Sequence, residues 1–331
     1  MARSPRHLDE DDVRVRPGRG TRPRSKDRPS HRDAIPARVL TVDRGRFTIQ
    51  LLNGEVHFAI KARELGRKGL AVGDWVDVVG TDSDLARIVR RSERISVLRR
   101  TADDSDPVER VLVANADQLG IVTATVDPEP STGLIDRALV AAYDANIVPL
   151  LIITKTDMHP ADALIERYAP LDVPMLFVHA KQPSAELREH LRDHTTVLLG
   201  HSGVGKSTLV NVLVPDADRS TGVVNAVTGK GRHTSTSAVM LPLPDGGAVI
   251  DTPGIRSFGL AHVDPNDVVG AFGDLAEIAL TCPRACSHDE PDCALTTWAT
   301  TAERGARVQS LRNVLRSLNE QDQNGTKPTR S

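Results

Sequence analysis

Aromatic side chains are scarce in this sequence, with two Trp, two Tyr and five Phe among 331 residues. That scarcity excludes a long platform of rings on which nucleic-acid bases could stack. Cysteine is confined to three positions, all within residues 282–293. Such usage excludes a disulfide framework and suits metal binding in a reducing compartment. No apolar run approaches the roughly 18 residues that a membrane-spanning helix needs. The N-terminus lacks the apolar stretch of a secretory signal, so the expected location is the cytoplasm, with no membrane partner. Neither sign of charge dominates, since 42 Lys and Arg face 44 Asp and Glu for a net charge of −2.

The charge is unevenly placed. Residues 1–35 are rich in Arg and Pro and poor in large apolar side chains. Such a segment buries too little surface to offset its chain entropy and reads as a disordered basic arm. Its arginines suit either contact with nucleic acid or simple solubility. Residues 320–331 read as a disordered tail.

Residues 36–100 carry short alternating apolar runs at 37–42, 46–52, 55–60 and 75–79. Asn53-Gly54 between two of them is a hairpin turn signal. Several short strands in so short a stretch indicate a small barrel of the OB type. Its ring side chains are few (Phe47, Phe58 and Trp75), so contact with RNA would run through Arg and Lys to phosphates. From residue 101 to 261 the pattern becomes apolar strands separated by helical runs, which indicates a parallel sheet covered on both faces. Strands are expected at 118–126, 147–154, 175–178, 196–199 and 247–251. Helices are expected at 134–143 and 185–190. Residues 262–319 are helical around the cysteines and end in an amphipathic helix over 302–319, with Val308, Leu311, Val314, Leu315 and Leu318 on one face. Arg304, Arg307, Arg312 and Arg316 are expected to form its solvated faces.

Three segments carry chemistry. Gly200-His201-Ser202-Gly203-Val204-Gly205-Lys206-Ser207-Thr208 lies between an apolar strand and a helical run. That context makes it a phosphate-binding loop, with backbone N–H groups around the phosphates, Lys206 on the β- and γ-phosphates and Ser207 on Mg²⁺. Val249-Ile250-Asp251-Thr252-Pro253-Gly254 places the Asp251 carboxylate at a strand end, where it would hold Mg²⁺, and Gly254 where its N–H would sense a γ-phosphate. Between these two lies Gly229-Lys230-Gly231-Arg232-His233-Thr234-Ser235-Thr236. One of Thr234, Ser235 and Thr236 would complete the Mg²⁺ shell. His233 would either position water or contact phosphate or RNA. Ile255 stands where Ras-like enzymes use Gln to orient the attacking water, which points to slow unassisted hydrolysis.

Thr154-Lys155-Thr156-Asp157 follows the strand at 147–154. Asp157 can accept from guanine N1–H and N2–H₂, and the Lys155 stem can cover the base. His179-Ala180-Lys181 follows the next strand and would back the guanine through Ala180 and Lys181. The base reader thus precedes the phosphate loop, the reverse of the ordinary order, so the domain reads as circularly permuted. Cys282-x3-Cys286-x-His288-x4-Cys293 supplies three thiolates and an imidazole, a closed tetrahedral set for one structural Zn²⁺.

With these segments in this order, residues 36–318 resemble the ribosome small-subunit-dependent GTPase A family (RsgA/YjeQ). The resemblance implies an N-terminal OB-like barrel, a permuted α/β P-loop GTPase domain and a C-terminal helical zinc domain. It implies a monomeric GTP hydrolase, cycling between GTP and GDP with Mg²⁺. The small ribosomal subunit would stimulate it, and it would bind rRNA late in subunit maturation and leave after hydrolysis. It also implies that Gly231–Thr234 is the first switch. The sequence departs from the family pattern at Thr154, where Asn is commoner, at Ser235 within a run that is usually all Thr, and in slightly shorter zinc-ligand spacings. Two other readings are a P-loop ATPase of another class and an RNA-binding protein that uses GTP only as a conformational ligand.

Overall fold

A run of apolar strands too continuous to face water on either side must be covered by helices on both, and the fold is built on that requirement. The structure is a computed structural model and describes residues 31–65, 69–100, 110–179, 185–214, 238–252, 260, 263 and 265–324. The arm over 1–30, the end of the tail over 325–331, and Ala180, Lys181, His233, Thr234, Ser235, Thr236 and Gly254 lie outside the described residues.

The chain opens with five strands: β1 (Ile35–Asp43), β2 (Arg46–Leu51), β3 (Val56–Lys61), β4 (Trp75–Val79) and β5 (Ala86–Arg91). β1 pairs antiparallel with β2 and with β4, β2 with β3, and β4 with β5, while β3 and β5 run parallel. The order 1-2-3-5-4 therefore closes on itself, which is the partly open Greek-key barrel of the OB type. Val39, Ile49, Val76, Val78 and Ile88 fill it. At the β2–β3 turn, Asn53 Oδ1 accepts from the Glu55 N–H at 3.0 Å. A short antiparallel pair, β6 (Val97–Arg100) and β7 (Arg110–Ala114), leads out of the barrel.

The central sheet comprises β8 (Gln118–Ala124), β9 (Val148–Thr154), β10 (Met175–Val178), β11 (Thr195–Leu199), β12 (Val239–Pro242) and β13 (Ala248–Asp251). Its order is β10-β9-β8-β11-β13-β12, parallel except for β12. β8 is buried at every residue. The helices are α1 (Thr132–Asp144), α2 (Asp162–Tyr168), α3 (Ala185–Leu191) and α4 (Lys206–Leu213). One face of the sheet packs on α3 and α4 through Leu187, Leu191, Leu209 and Leu213. The other packs on α1 and on the C-terminal helices α5 (Pro265–Gly270), α6 (Gly273–Ala279), α7 (Ala294–Trp298) and α8 (Ala302–Asn324).

The strands β5, β6, β7 and β12 were not anticipated from the sequence, and two features of the C-terminal helix also differ from expectation. The helix α8 continues to Asn324 rather than ending at 319, because Glu320-Gln321-Asp322-Gln323 contains no helix breaker. The four arginines of α8 are also engaged rather than simply solvated. Arg307 donates to both oxygens of Asp274 at 2.8 Å, and to Asp172 and the Pro170 carbonyl at 2.6 Å. Arg312 donates to the His288 carbonyl at 2.7 Å, Arg316 makes a two-pronged pair with Asp289, and Arg304 lies 4.7 Å over the Trp298 ring. Helical periodicity marks these positions as polar. Only the tertiary structure supplies acceptors opposite them.

The barrel is joined to the central sheet by more than the chain. Thr41 of β1 pairs with Val239 of β12, so one sheet runs through both. Beside that bridge the Arg38 guanidinium, stacked 4.7 Å over Trp75, donates to the Gly73 carbonyl at 3.0 Å and the Asn115 carbonyl at 2.9 Å. Asn115 Nδ2 donates to the same Gly73 carbonyl at 3.0 Å. Asp74, fully buried, is held by Arg94 at 2.7 and 2.8 Å. Gly73 has φ +87°, and a Cβ there would lie 2.1 Å from the Ala114 carbonyl oxygen. Gly73→Ala is therefore expected to strain the backbone and push the junction apart, costing about 2–4 kcal/mol. Urea denaturation of the variant checks this, and an unchanged midpoint would show that the close approach is not needed.

Candidate functional site

Parallel strands end together, so the loops that follow them gather at one edge of the sheet. β11 and β13 are neighbours, in register from Thr195↔Ala248 to Leu198↔Asp251. Their C-terminal ends bring the loop 200–205 and Asp251 side by side. Val204 is buried, Gly203 (φ +87°) and Gly205 (φ +98°) adopt left-handed backbone, and α4 starts at Lys206 directly after. Side chains at those two glycines would be strained, and the left-handed backbone they allow leads directly into the N-terminus of α4. His201 is half-buried, and Ser202, Ser207 and Thr208 are exposed along the same loop and first turn.

Lys206 is 7 % exposed and donates from Nζ to the Gly200 carbonyl at 3.0 Å. Burial lowers its pKa, and the negative charge of Asp251 opposes that shift. Burial raises the pKa of Asp251, with Lys206 opposing. Asp251 Oδ1 is buried without a hydrogen-bond partner. Each group is thus a charge held out of water and incompletely compensated by the other. A bound anion at Lys206 and a cation at Asp251 would satisfy both. Directly after Asp251, the Thr252 hydroxyl donates to the Leu198 carbonyl at 2.7 Å.

The segment 154–157 follows β9, two strands from β11 in the sheet order. Its first residue nevertheless reaches the phosphate loop. Thr154 Oγ1 lies 2.7 Å from the Val204 carbonyl oxygen and 3.1 Å from that of Thr123. Lys155 has φ +59°, its carbonyl accepts from Thr125 Oγ1 at 2.8 Å, and its Nζ donates to the Asp127 carbonyl. Thr156 Oγ1 is 3.0 Å from His179 Nδ1, which joins the end of β10 to this turn. Asp157 is exposed. The loop 125–128 was not anticipated as part of the site. Its only sequence signal is the Asp127-Pro128-Glu129-Pro130 stretch directly after an apolar strand.

A second centre lies in the C-terminal helices. The ligand atoms of Cys282, Cys286, His288 and Cys293 all fall within 4.8 Å of one another. Cys282 Sγ is 3.6 Å from His288 Nδ1 and 3.7 Å from Cys293 Sγ. Ligands at about 2.0–2.3 Å around one tetrahedral ion stand about 3.5–3.8 Å apart, so the four residues fit a metal. Glu290 was missed by sequence reasoning. Its carboxylate accepts from the Ser287 N–H at 3.0 Å and from Cys286 Sγ at 3.1 Å, and these bonds hold its pKa well below the usual carboxylate range. Arg312 and Arg316 tie this loop to α8 through the His288 carbonyl and Asp289.

A glycine-rich loop running into Lys206, an acidic strand end beside it and the segment 154–157 placed earlier in the chain are the arrangement of a circularly permuted P-loop GTPase. Residues 91–261 match the family model of the RsgA GTPase. The small ribosomal subunit biogenesis GTPase RsgA of Ectopseudomonas mendocina is 43% identical over 222 residues, spanning 64% of each chain. That alignment covers slightly less than two thirds of the relative's length. The protein of the same name from Pseudomonas aeruginosa is 40% identical over 267 residues, 76% of this chain and 77% of its own. Among solved structures, YjeQ from Thermotoga maritima superposes with a TM-score of 0.66 at 25% identity, over 86% of this chain and 99% of that one. YloQ, described as a circularly permuted GTPase, shares the fold with a TM-score of 0.65 at 22% identity, over 92% and 100%. The chain belongs to the RsgA GTPase family.

Proposed function

We propose that this chain hydrolyses GTP to GDP and phosphate, is stimulated by the small ribosomal subunit, and serves that subunit's late maturation in the cytoplasm. The observation that carries this reading is the buried Lys206–Asp251 pair beside the loop 200–205, within reach of Thr154. The relatives' names supply the subunit. In this reading the N–H groups of residues 200–208 and Lys206 hold the phosphates, Lys206 exchanging its contact with the Gly200 carbonyl for the nucleotide. Ser207, Asp251 and one hydroxyl of Thr234, Ser235 and Thr236 would hold Mg²⁺, which supplies charge neutralisation between the phosphates. Gly254 would sense the γ-phosphate. Asp157 would read guanine, with Lys155, Thr156, Ala180 and Lys181 around the base. His233 would position water, because Ile255 cannot.

The barrel and the metal-bearing helices would contact rRNA as parts of one monomeric body. The arginine-rich arm would add non-specific attraction to phosphates. Among the described residues no helix is long and apolar enough to cross a membrane. The Cys282, Cys286, His288 and Cys293 set would hold one structural Zn²⁺, since three thiolates and an imidazole leave no open position.

Phosphate release tests the function. GTP hydrolysis is expected to be slow alone and strongly stimulated by purified small subunits, with ATP inert. Bound GTP without stimulation would favour a conformational role for the nucleotide. Asp251→Asn is expected to weaken Mg²⁺ binding roughly 10–100-fold and to remove most of the Mg²⁺ dependence of GTP hydrolysis, read by Mg²⁺ titration. The metal content of the purified protein should be one zinc per chain, lost with melting of α5–α7 on Cys293→Ser. Iron in place of zinc, or no metal, would overturn that assignment.

A further inference from the structure

We infer that Thr154 is a positioning residue for the phosphate loop, and that guanine is recognised here without a hydrogen bond to its N7. The inference rests on the proposal that the pocket takes GTP. Thr154 is 6 % exposed at the end of β9. β8 separates β9 from β11, so its hydroxyl spans three segments: its own strand, the Thr123 carbonyl of β8 at 3.1 Å, and the Val204 carbonyl of the phosphate loop at 2.7 Å. A hydroxyl has one proton to donate, and both of these neighbours can only accept. The shorter contact places that proton on the Val204 oxygen. The oxygen's remaining lone pairs cannot pair with guanine N7 or O6, which are themselves acceptors. An Asn at this position would carry two N–H bonds, one for the loop and one for the base. Thr154 has only the first.

The surrounding contacts fit a strut. A Cβ built at Gly205 would lie 3.8 Å from both Thr154 Oγ1 and Cγ2, so the side chain packs against the next residue of the loop as well as bonding to Val204. The backbone of Lys155 is set separately, through Thr125 Oγ1 at 2.8 Å and Asp127. Specificity then falls on Asp157, which reads N1–H and N2–H₂ at the far edge of the base. A chain with this division of labour discriminates against bases that lack the 2-amino group and is indifferent to position 7.

The test is equilibrium binding of GTP, 7-deaza-GTP, ITP and ATP to the full chain. GTP and 7-deaza-GTP are expected to bind within about two-fold of each other, and ITP about 3–10-fold more weakly. Thr154→Asn should create a preference of about 3–10-fold for GTP over 7-deaza-GTP. Thr154→Val should weaken both about equally, by roughly 3–10-fold, and Thr154→Ser should restore them. Discrimination against 7-deaza-GTP of ten-fold or more by the unaltered protein would overturn the inference, and so would undiminished GTP affinity in a folded Thr154→Val. The first of these comparisons needs no variant, so misfolding cannot obscure it. Equal binding of ATP, or no binding of GTP, would instead sink the nucleotide reading and this inference with it.

Discussion

Two opposite charges taken out of water, one at the start of α4 and one at the end of β13, set the terms for this molecule. Lys206 and Asp251 are each disfavoured by burial, and each is only partly relieved by the other. Such a pair contributes little to stability by itself, and in the proposed reading its isolation suits it to a phosphate and a metal ion. Keeping it in place requires β11 and β13 to be neighbours and in register, with helices covering both faces so that water does not reach the strand ends from below.

The same sheet explains why the permuted order is tolerated. A nucleotide site of this kind depends on which strands are adjacent, since the loops that do the chemistry are brought together by the sheet and not by the chain. Thr154 lies fifty positions before Val204 and still bonds to it. Moving the ends of the chain leaves those adjacencies intact. It also places the barrel next to β12, the strand that follows residues 229–236, one of whose hydroxyls is expected to complete the Mg²⁺ shell. The bridge Thr41↔Val239 and the Arg38 junction make the barrel a continuation of that sheet. A barrel joined in this way would present its surface in a fixed direction relative to the nucleotide. At the other end, α8 serves as a second support. Its arginines reach the metal loop through His288 and Asp289, and the turn after α2 through Asp172.

Much was legible in the sequence because it depends on local physics. Apolar runs at 118–126, 147–154 and 247–251 correspond to β8, β9 and β13 within a few residues, since a fully buried strand leaves a continuous apolar trace. The barrel strands β1 to β4 were legible from alternation and from the Asn53-Gly54 turn, whereas β5 was not anticipated. Cys282, Cys286, His288 and Cys293 stand within twelve positions of one another, so their spacing alone marked them as a set that could hold a metal. β12 left no clear trace, being four residues long and ordered by pairing on both sides. Glu290 and the loop 125–128 were missed for a similar reason, since their roles come from neighbours and not from spacing.

By itself the sequence marked out the glycine-rich loop ending at Lys206, the acidic strand end at Asp251, the segment 154–157, their order in the chain and the three cysteines with His288, because each is a short segment recognisable from its residue types. Only the tertiary structure decided what those segments touch. It placed the Thr154 hydroxyl against the phosphate loop, joined the barrel to the central sheet, and gave the arginines of α8 carboxylate and carbonyl partners. These contacts join residues far apart in the chain, and periodicity carries no information about which group stands opposite another.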